Sequence, residues 1–333
     1  MTWNERLEQT MVDLTELEAG VHLADPEKVT AQLVDDIRET ARRFRRVGAV
    51  VALSGGIDSS TSVGLAVRAL GTGRVRTISL PDKESSSRTV GYAQEVADAF
   101  GVPLEVRDIT EPLAALGAYN DRVAVVRKHV PDFDERHGDK FSVEFDSAEG
   151  EAGRLQRFML NVERSGGTES YRLGGRDFLT IMAATNQKQR VRMLSAYRIA
   201  DEANLLVIGT SNRPEIEQGF FVKHGDGCGD VFPLRFLLKS QVYDVAKVVG
   251  VPRSVIERAP TTDTFSAEQT QEEYFYGTSI ETGDRLWLGW HRGDDLAAVA
   301  ADTGLAEEDV QKYYDLYSRR AEYTAYLTTT ISS

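Results

Sequence analysis

The chain has 333 residues, 41% of them hydrophobic, and a formal net charge of −13, enough apolar content to bury a sizeable core in one large domain or two modest ones. The acidic balance argues against a nucleic-acid partner, because a phosphate backbone requires a basic surface. No apolar run approaches the roughly 20 residues that span a bilayer, and the start Met1-Thr2-Trp3-Asn4-Glu5-Arg6 lacks a charged-then-apolar leader, so a cytoplasmic protein without a membrane partner is expected.

Residues 28–46 carry apolar positions Leu33, Ile37, Ala41 and Phe44 at helical spacing, an ordinary core-facing helix. Residues 47–53, Val-Gly-Ala-Val-Val-Ala-Leu, form the short apolar run expected of a buried parallel strand. They lead into Ser54-Gly55-Gly56-Ile57-Asp58-Ser59-Ser60 and a helix that stops at Gly71. A strand over 75–80, a polar loop over 81–87, a helix over 89–100 and a strand over 104–109 follow. A charged, weakly periodic stretch over 121–176 reads as an insertion. It is expected to be a solvated loop with a short helix around 153–162, the alternative being a lid or an oligomer contact. A long helix over 178–204 then enters a strand over 205–209. Strands alternating with helices imply an α/β fold, a doubly wound, mainly parallel sheet flanked by helices, with ligands beyond the strands' carboxyl ends. The whole chain, 1–333, is expected to be one domain carrying that insertion.

The loop from Ser54 to Ser59 suits phosphate. Its glycines let backbone N–H groups approach an anion, and the following helix adds the positive end of its dipole. Asp58 would repel phosphate unless a divalent cation bridges them, which points to Mg²⁺. A plain glycine turn with Asp58 and Ser59 capping the helix is the alternative. The full string lacks the Gly-Lys-Ser/Thr of a Walker loop and resembles the signature of the ATP pyrophosphatase superfamily, whose members cleave ATP between the α and β phosphates; the fold implied is the adenine nucleotide α-hydrolase type.

Further blocks resemble the ammonia-dependent NAD synthetase family. They are Asn186-Gln187-Lys188-Gln189-Arg190-Val191-Arg192-Met193, Gly209-Thr210-Ser211-Asn212-Arg213-Pro214-Glu215, Phe221 to Asp230, Pro233-Leu234, Lys239-Ser240-Gln241-Val242, Pro260-Thr261-Thr262-Asp263 and Gln269-Thr270-Gln271-Glu272. Together with the phosphate loop they cover about half of the chain. The resemblance implies that Ser54, Gly55, Gly56, Asp58, Ser59, Thr210, Lys239 and Thr261 contact ATP, and that Asp58 and Glu215 hold Mg²⁺. Asp58, Lys239 and Glu215 are thereby the expected catalytic residues. Arg190, Lys223 and Asp230 are expected to contact deamido-NAD. Taken singly, Arg190 and Arg192 read as surface charges, Glu215 as a helix-start carboxylate and Lys239 as a solvated helix residue; it is the ordered series that carries the assignment.

The activity implied is adenylation of a carboxylate by ATP followed by attack of ammonia, giving an amide, AMP and pyrophosphate, and the family's two-fold dimer is implied with it. Cys228, the single cysteine, precludes an intramolecular disulfide and a multi-cysteine metal site. As a glutaminase nucleophile it would need activating partners, so free ammonia is the expected nitrogen source. Three departures bear on the acid's identity: the long insertion, Ser318-Arg319-Arg320 in place of a His-Lys-Arg segment, and Gln271 at an acidic position. Amidation of a different carboxylic acid therefore stays open, as does a catalytically inactive nucleotide-binding regulatory module.

Overall fold

The computed structural model describes residues 14–86, 88–146, 157–258, 261–262, 269–270 and 277–328. A short helix α1 (Leu14–Leu17) precedes α2 (Pro26–Arg43). Helix α2 starts where Asp25 accepts the Lys28 N–H at 3.0 Å and Pro26 presets the first turn. It ends before Arg45, whose φ of 52° breaks the helical run, so it stops short of the expected residue 46.

Strand β1 (Gly48–Ala52) leads into α3 (Ile57–Leu70), β2 (Val75–Ser79), α4 (Thr89–Phe100) and β3 (Leu104–Val106). Strand β3 is three residues shorter than expected, because the Asp108 carboxylate accepts the Thr110 N–H at 2.7 Å and turns the chain into α5 (Thr110–Ala115) and then α6 (Ala118–His129). Strands β4 (Lys140–Asp146), β5 (Arg157–Arg164) and β6 (Gly167–Leu173) precede the long helix α7 (Gly175–Ala203), strand β7 (Leu205–Ile208) and a short helix α8 (Arg213–Glu217). Helices α9 (Lys239–Val249) and α10 (Arg253–Ile256) follow, then a small β8 (Thr261–Thr262) and β9 (Gln269–Thr270) pair. Helices α11 (Ile280–Arg292), α12 (Leu296–Thr303) and α13 (Glu307–Thr328) complete the series.

Strands β3, β2, β1 and β7 lie side by side in that order, all parallel. Both faces of β1 are buried, which explains its unbroken apolar sequence. Ala49, Val51 and Leu53 pack with Leu33 and Ile37 of α2, Leu65 of α3 and Val245 of α9. Val50 points the other way, into a cluster with Ile78, Leu113, Ala196 and Val207 beneath α5 and α7. Chain order takes β1 to β2 on one side and β7 to the other, so the switch point lies between the ends of β1 and β7, where a crevice opens in such sheets.

The expected solvated insertion is instead a three-stranded antiparallel sheet, in the order β4-β5-β6. Residues 157–162 of the expected helix lie in β5, and residues 153–156 fall outside the described residues. Alternation decides it: Phe141 and Val143 of β4 and Leu160 and Val162 of β5 are buried against Val126 of α6, Phe133 and Ile181 of α7. Period-two burial on one face is the strand pattern.

Candidate active site

The turn after β1 is shaped for close backbone approach. Gly55 has φ +78°, and a Cβ there would meet the Tyr92 Cβ at 2.6 Å and the Ala93 nitrogen at 2.9 Å, so a larger residue is excluded both by conformation and by space. The Gly56 N–H donates to Ser54 Oγ at 3.2 Å, and the Ser59 hydroxyl donates to the Gly56 carbonyl at 3.1 Å. These bonds fold the loop onto the first turn of α3, where helical geometry leaves N–H groups without internal acceptors. Helix α3 itself starts on Gly56 with no side-chain cap, so its N-terminus faces the loop.

The turn after β7 brings the second half. Asn212 is fully buried and caps α8 through a reciprocal box. Its side-chain oxygen accepts the Glu215 N–H at 3.1 Å, and its own N–H donates to Glu215 Oε2 at 3.2 Å. The Asn212 amide also donates to Asp58 Oδ1 at 3.2 Å. One asparagine thus ties together two carboxylates that are 157 positions apart in sequence.

Between those carboxylates lies Lys239 at the start of α9. Its Nζ is 2.5 Å from Asp58 Oδ2 and 3.5 Å from Glu215 Oε1, and the residue has no exposed surface. Burial alone would lower the lysine's pKa, but the Asp58 and Glu215 charges outweigh it and hold the ammonium above its ordinary range. Burial pushes Glu215 up to about 7, against the pull of Lys239 and with added repulsion from Asp58. The start of α9 is anchored by Asp284 of α11, whose carboxylate accepts the Ser240 N–H at 2.7 Å and the Lys239 N–H at 3.4 Å. Burial raises Asp284 to about 6.

The structure therefore brings Asp58, Glu215 and Lys239 together beside the Ser54–Ser59 loop at the switch point. Two hard oxygen donors in a partly desolvated crevice suit a divalent cation bridged to phosphate; among the described residues there is no group of three or more such ligands, so substrate or water oxygens would complete the shell. Thr210 sits between the end of β7 and the Asn212 cap, half-buried. Thr261 is in β8, paired with Thr270.

Arg190, Lys223 and Asp230 fall in one neighbourhood with different partners. The exposed Arg190 donates from Nε to the Lys223 carbonyl at 3.3 Å. Lys223 reaches α13, donating to the Tyr326 carbonyl at 2.8 Å with its ammonium 4.2 Å from the Tyr326 ring centroid. Asp230 closes the edge of β7, accepting the Val207 N–H at 2.8 Å and the Tyr197 hydroxyl at 3.3 Å. The Cys228 thiol lies 3.7 Å from that same Tyr197 hydroxyl. Of Ser318-Arg319-Arg320, Arg320 turns back to Gln218 at 2.9 Å.

Sequence reasoning missed three features here. Asn212 was in a quoted block without a role, although Asn three positions before Glu is itself the capping-box signal. Asp284 had no local signal, since its partners are on α9. The third is a buried chain of charges: Arg122 of α6 grips both Glu84 oxygens at 2.7 Å, Lys188 of α7 lies 2.7 Å from Glu84 and 3.4 Å from Asp82, and Arg192 lies 3.4 Å from Asp82. It fixes the loop after β2 to α7, and Arg192 further holds the Leu80 carbonyl at 3.2 Å.

The sequence profile of the NAD synthase family matches residues 29–130 and 165–324. The chain belongs to the NAD synthase family. The unmatched internal stretch, 131–164, includes two strands, β4 and β5, of the three-stranded sheet. It is 38% identical over 296 residues to the NH(3)-dependent NAD(+) synthetase of Rhizobium meliloti, covering 89% of this chain and 88% of that protein. It is 29% identical over 293 residues to the protein of the same name from Methanocaldococcus jannaschii, covering 88% and 92%. Among solved structures, an NMN synthetase from Francisella tularensis superposes with a TM-score of 0.63 at 21% identity, covering 93% of this chain and 98% of that one. The NH3-dependent NAD synthetase of Campylobacter jejuni gives 0.60 at 19%, also covering 93% and 98%. At those identities the likeness is one of fold. Among the described residues no helix is long and apolar enough to cross a membrane.

Proposed function

We propose that the protein adenylates the nicotinate carboxylate of deamido-NAD with ATP and amidates it with ammonia, releasing NAD⁺, AMP and pyrophosphate. The observation that carries this reading is the meeting of Asp58, Glu215 and Lys239, from three separate segments, at the mouth of the glycine loop in a member of the NAD synthase family.

A carboxylate resists attack by ammonia because its oxygens are poor leaving groups. One of its oxygens attacks the α-phosphorus of ATP, the bond to the β-phosphate oxygen breaks, and pyrophosphate departs with that electron pair. Ammonia then adds to the acyl carbon, a proton is lost, and AMP leaves with the former carboxylate oxygen. The loop N–H groups, the Ser54 and Ser59 hydroxyls and Thr210 and Thr261 are assigned to ATP, and Lys239 to the charge that builds on the phosphates. Asp58 and Glu215 are assigned to Mg²⁺, which when bound neutralises phosphate charge. Arg190, Lys223 and Asp230 are assigned to the dinucleotide. The Cys228 environment favours free ammonia over glutamine: its described partner is a phenol whose proton is held more tightly than usual by burial and by Cys228 itself, the opposite of an activating base. A cytoplasmic homodimer, built on one domain with an added sheet, completes the assignment.

The test is a comparison of acids. With ATP, Mg²⁺ and ammonium, deamido-NAD should give AMP and NAD⁺ in equal amounts and a higher kcat/KM than nicotinate mononucleotide. AMP formation with another acid alone would transfer the assignment to a related amide ligase, and ATP binding with no AMP from any acid would make the chain a regulatory module.

A further inference from the structure

Helix α8, which carries Glu215, has five residues, fewer than an isolated helix needs to hold its form, so the direction of Glu215 is set from outside. Lys239 is the first residue of α9. One segment near the start of the chain, residues 17–23, touches both helices. Its ends are sunk in the core through Leu17 and Leu23. Toward α8, Glu18 Oε1 accepts from Arg213 Nη2 at 2.8 Å. The Arg213 side chain is 9% exposed, and its Cζ lies 4.7 Å from the ring centroid of Trp287 on α11. His291 of the same helix stacks on Trp287 with ring centroids 4.9 Å apart and places Nε2 3.1 Å from that Glu18 oxygen. Burial works against the Glu18 charge, but Arg213 and then His291 outweigh it and hold the carboxyl below its ordinary range. Toward α9, the fully buried Gln241 donates from Nε2 to the Leu17 carbonyl at 2.7 Å and to the Gly20 carbonyl at 3.0 Å. Its Oε1 accepts the N–H of Leu238, the residue before Lys239, at 3.0 Å. Three positions on, Asp244 accepts the Leu23 N–H at 3.1 Å.

The 17–23 segment thus ties together the two helices that deliver Glu215 and Lys239. We propose that it is a brace that sets the separation of those two side chains, with Glu18 and Gln241 as positioning residues that act through Arg213 and through the start of α9. Its purpose rests on the adenylation reading, in which Glu215 holds Mg²⁺ and Lys239 meets phosphate. Residues 218–238 separate α8 from α9 in the chain, and a fixed spacing between the helices lets one triphosphate meet both groups without a further ordering cost. Asn212 ties α8 to Asp58; Glu18 reaches the same helix through Arg213, and its ionised carboxylate is what makes that bond a strong one.

The experiment uses acetic anhydride as an amine probe on the ligand-free full chain, with acetylation rates read lysine by lysine by mass spectrometry. Lys239 reacts when α8 and α9 part. Lys188, almost equally buried but held by Asp82 and Glu84, reports loosening elsewhere. Glu18→Gln keeps the size of the side chain and removes its charge, and at 30% exposure Glu18 can be replaced without emptying the core. Loss of the charge-assisted bond should speed Lys239 acetylation about fivefold, with Lys188 changed less than about twofold. The Mg²⁺ concentration for half-maximal AMP formation should rise by a similar factor, while kcat at saturating Mg²⁺ falls less than about twofold. Glu18→Asp should recover part of both effects. Unchanged Lys239 acetylation in Glu18→Gln would overturn the brace, and so would an equal rise at Lys188, the mark of a merely structural role. Acetylation needs neither ATP nor acid. A wild type that forms no AMP from any acid, with Lys239 acetylation raised in Glu18→Gln, keeps the brace and loses the adenylation reading. One that makes NAD⁺ with unchanged Lys239 acetylation in the variant does the reverse.

Discussion

At the residue scale, chemistry is concentrated on a few side chains that hold one another in place. Asp58 faces both Lys239 and Asn212; Asp58→Ala should abolish AMP formation while leaving the unfolding midpoint within a few degrees, and wild-type turnover in that variant would contradict the metal assignment. Asn212 supplies aim rather than charge. Asn212→Ala removes the α8 cap, a loss of about 1 kcal/mol, and frees both carboxylates, so the Mg²⁺ concentration for half-maximal AMP formation should rise about tenfold in a magnesium titration. Asp284 gives a pH signature. Its folded pKa, about 6, lies above the ordinary 3.8, so the folded state binds the extra proton. The stability linked to it is complete below pH 3.8 and is lost as pH rises through 6. Asp284→Asn, which stays neutral, should lack that loss. Urea unfolding from pH 4 to 7 should show the wild type losing roughly 2 kcal/mol relative to the variant; equal slopes for the two proteins would refute the buried-carboxylate account.

At the scale of elements, the glycine loop, its flanking strand and helix, and α4 were legible in the sequence because each is encoded locally. An apolar run, paired glycines and a 3.6-residue period need no partner to be recognised. The 89–100 helix matches α4 residue for residue. The added sheet was not recognised, although Phe141 and Val143 and then Leu160 and Val162 alternate as strands do; the charged residues that flank these pairs, Lys140, Glu144 and Glu163, masked a period of two, and what buries those side chains comes from α6 and α7. The charge chain Arg122–Glu84–Lys188–Asp82 was invisible for a different reason. Its members come from the β2 loop, α6 and α7, and nothing in any one segment announces the others. Both Arg122 and Glu84 are almost fully buried, so removing one partner strands the other. Arg122→Met should cost about 3–5 kcal/mol in denaturant unfolding, and combining it with Glu84→Gln should cost less than the two single changes added together.

At the scale of the molecule, the parallel sheet positions the site by topology. Strands β1 and β7 leave their loops on either side of one crevice, and α9 delivers Lys239 into it. The family signature written along the sequence named Asp58, Glu215 and Lys239, and the fold brings those three together. Of the groups that orient them, Asn212 carries a local signal, the asparagine three positions before Glu215, whereas Asp284 carries none, since its partners lie on α9. A two-fold dimer is tested by sedimentation: a mass near twice the 36.9 kDa of the chain is expected, and a monomer at micromolar concentration would refute it.

The central claim is that the acid is activated by bonding one of its own oxygens to the α-phosphorus. Deamido-NAD labelled with ¹⁸O in the nicotinate carboxylate tests this most directly. Turnover with ATP, Mg²⁺ and ammonium in unlabelled water should place one ¹⁸O in each AMP and none in pyrophosphate. Unlabelled AMP, with the label released to water or found in pyrophosphate, would contradict the adenylate.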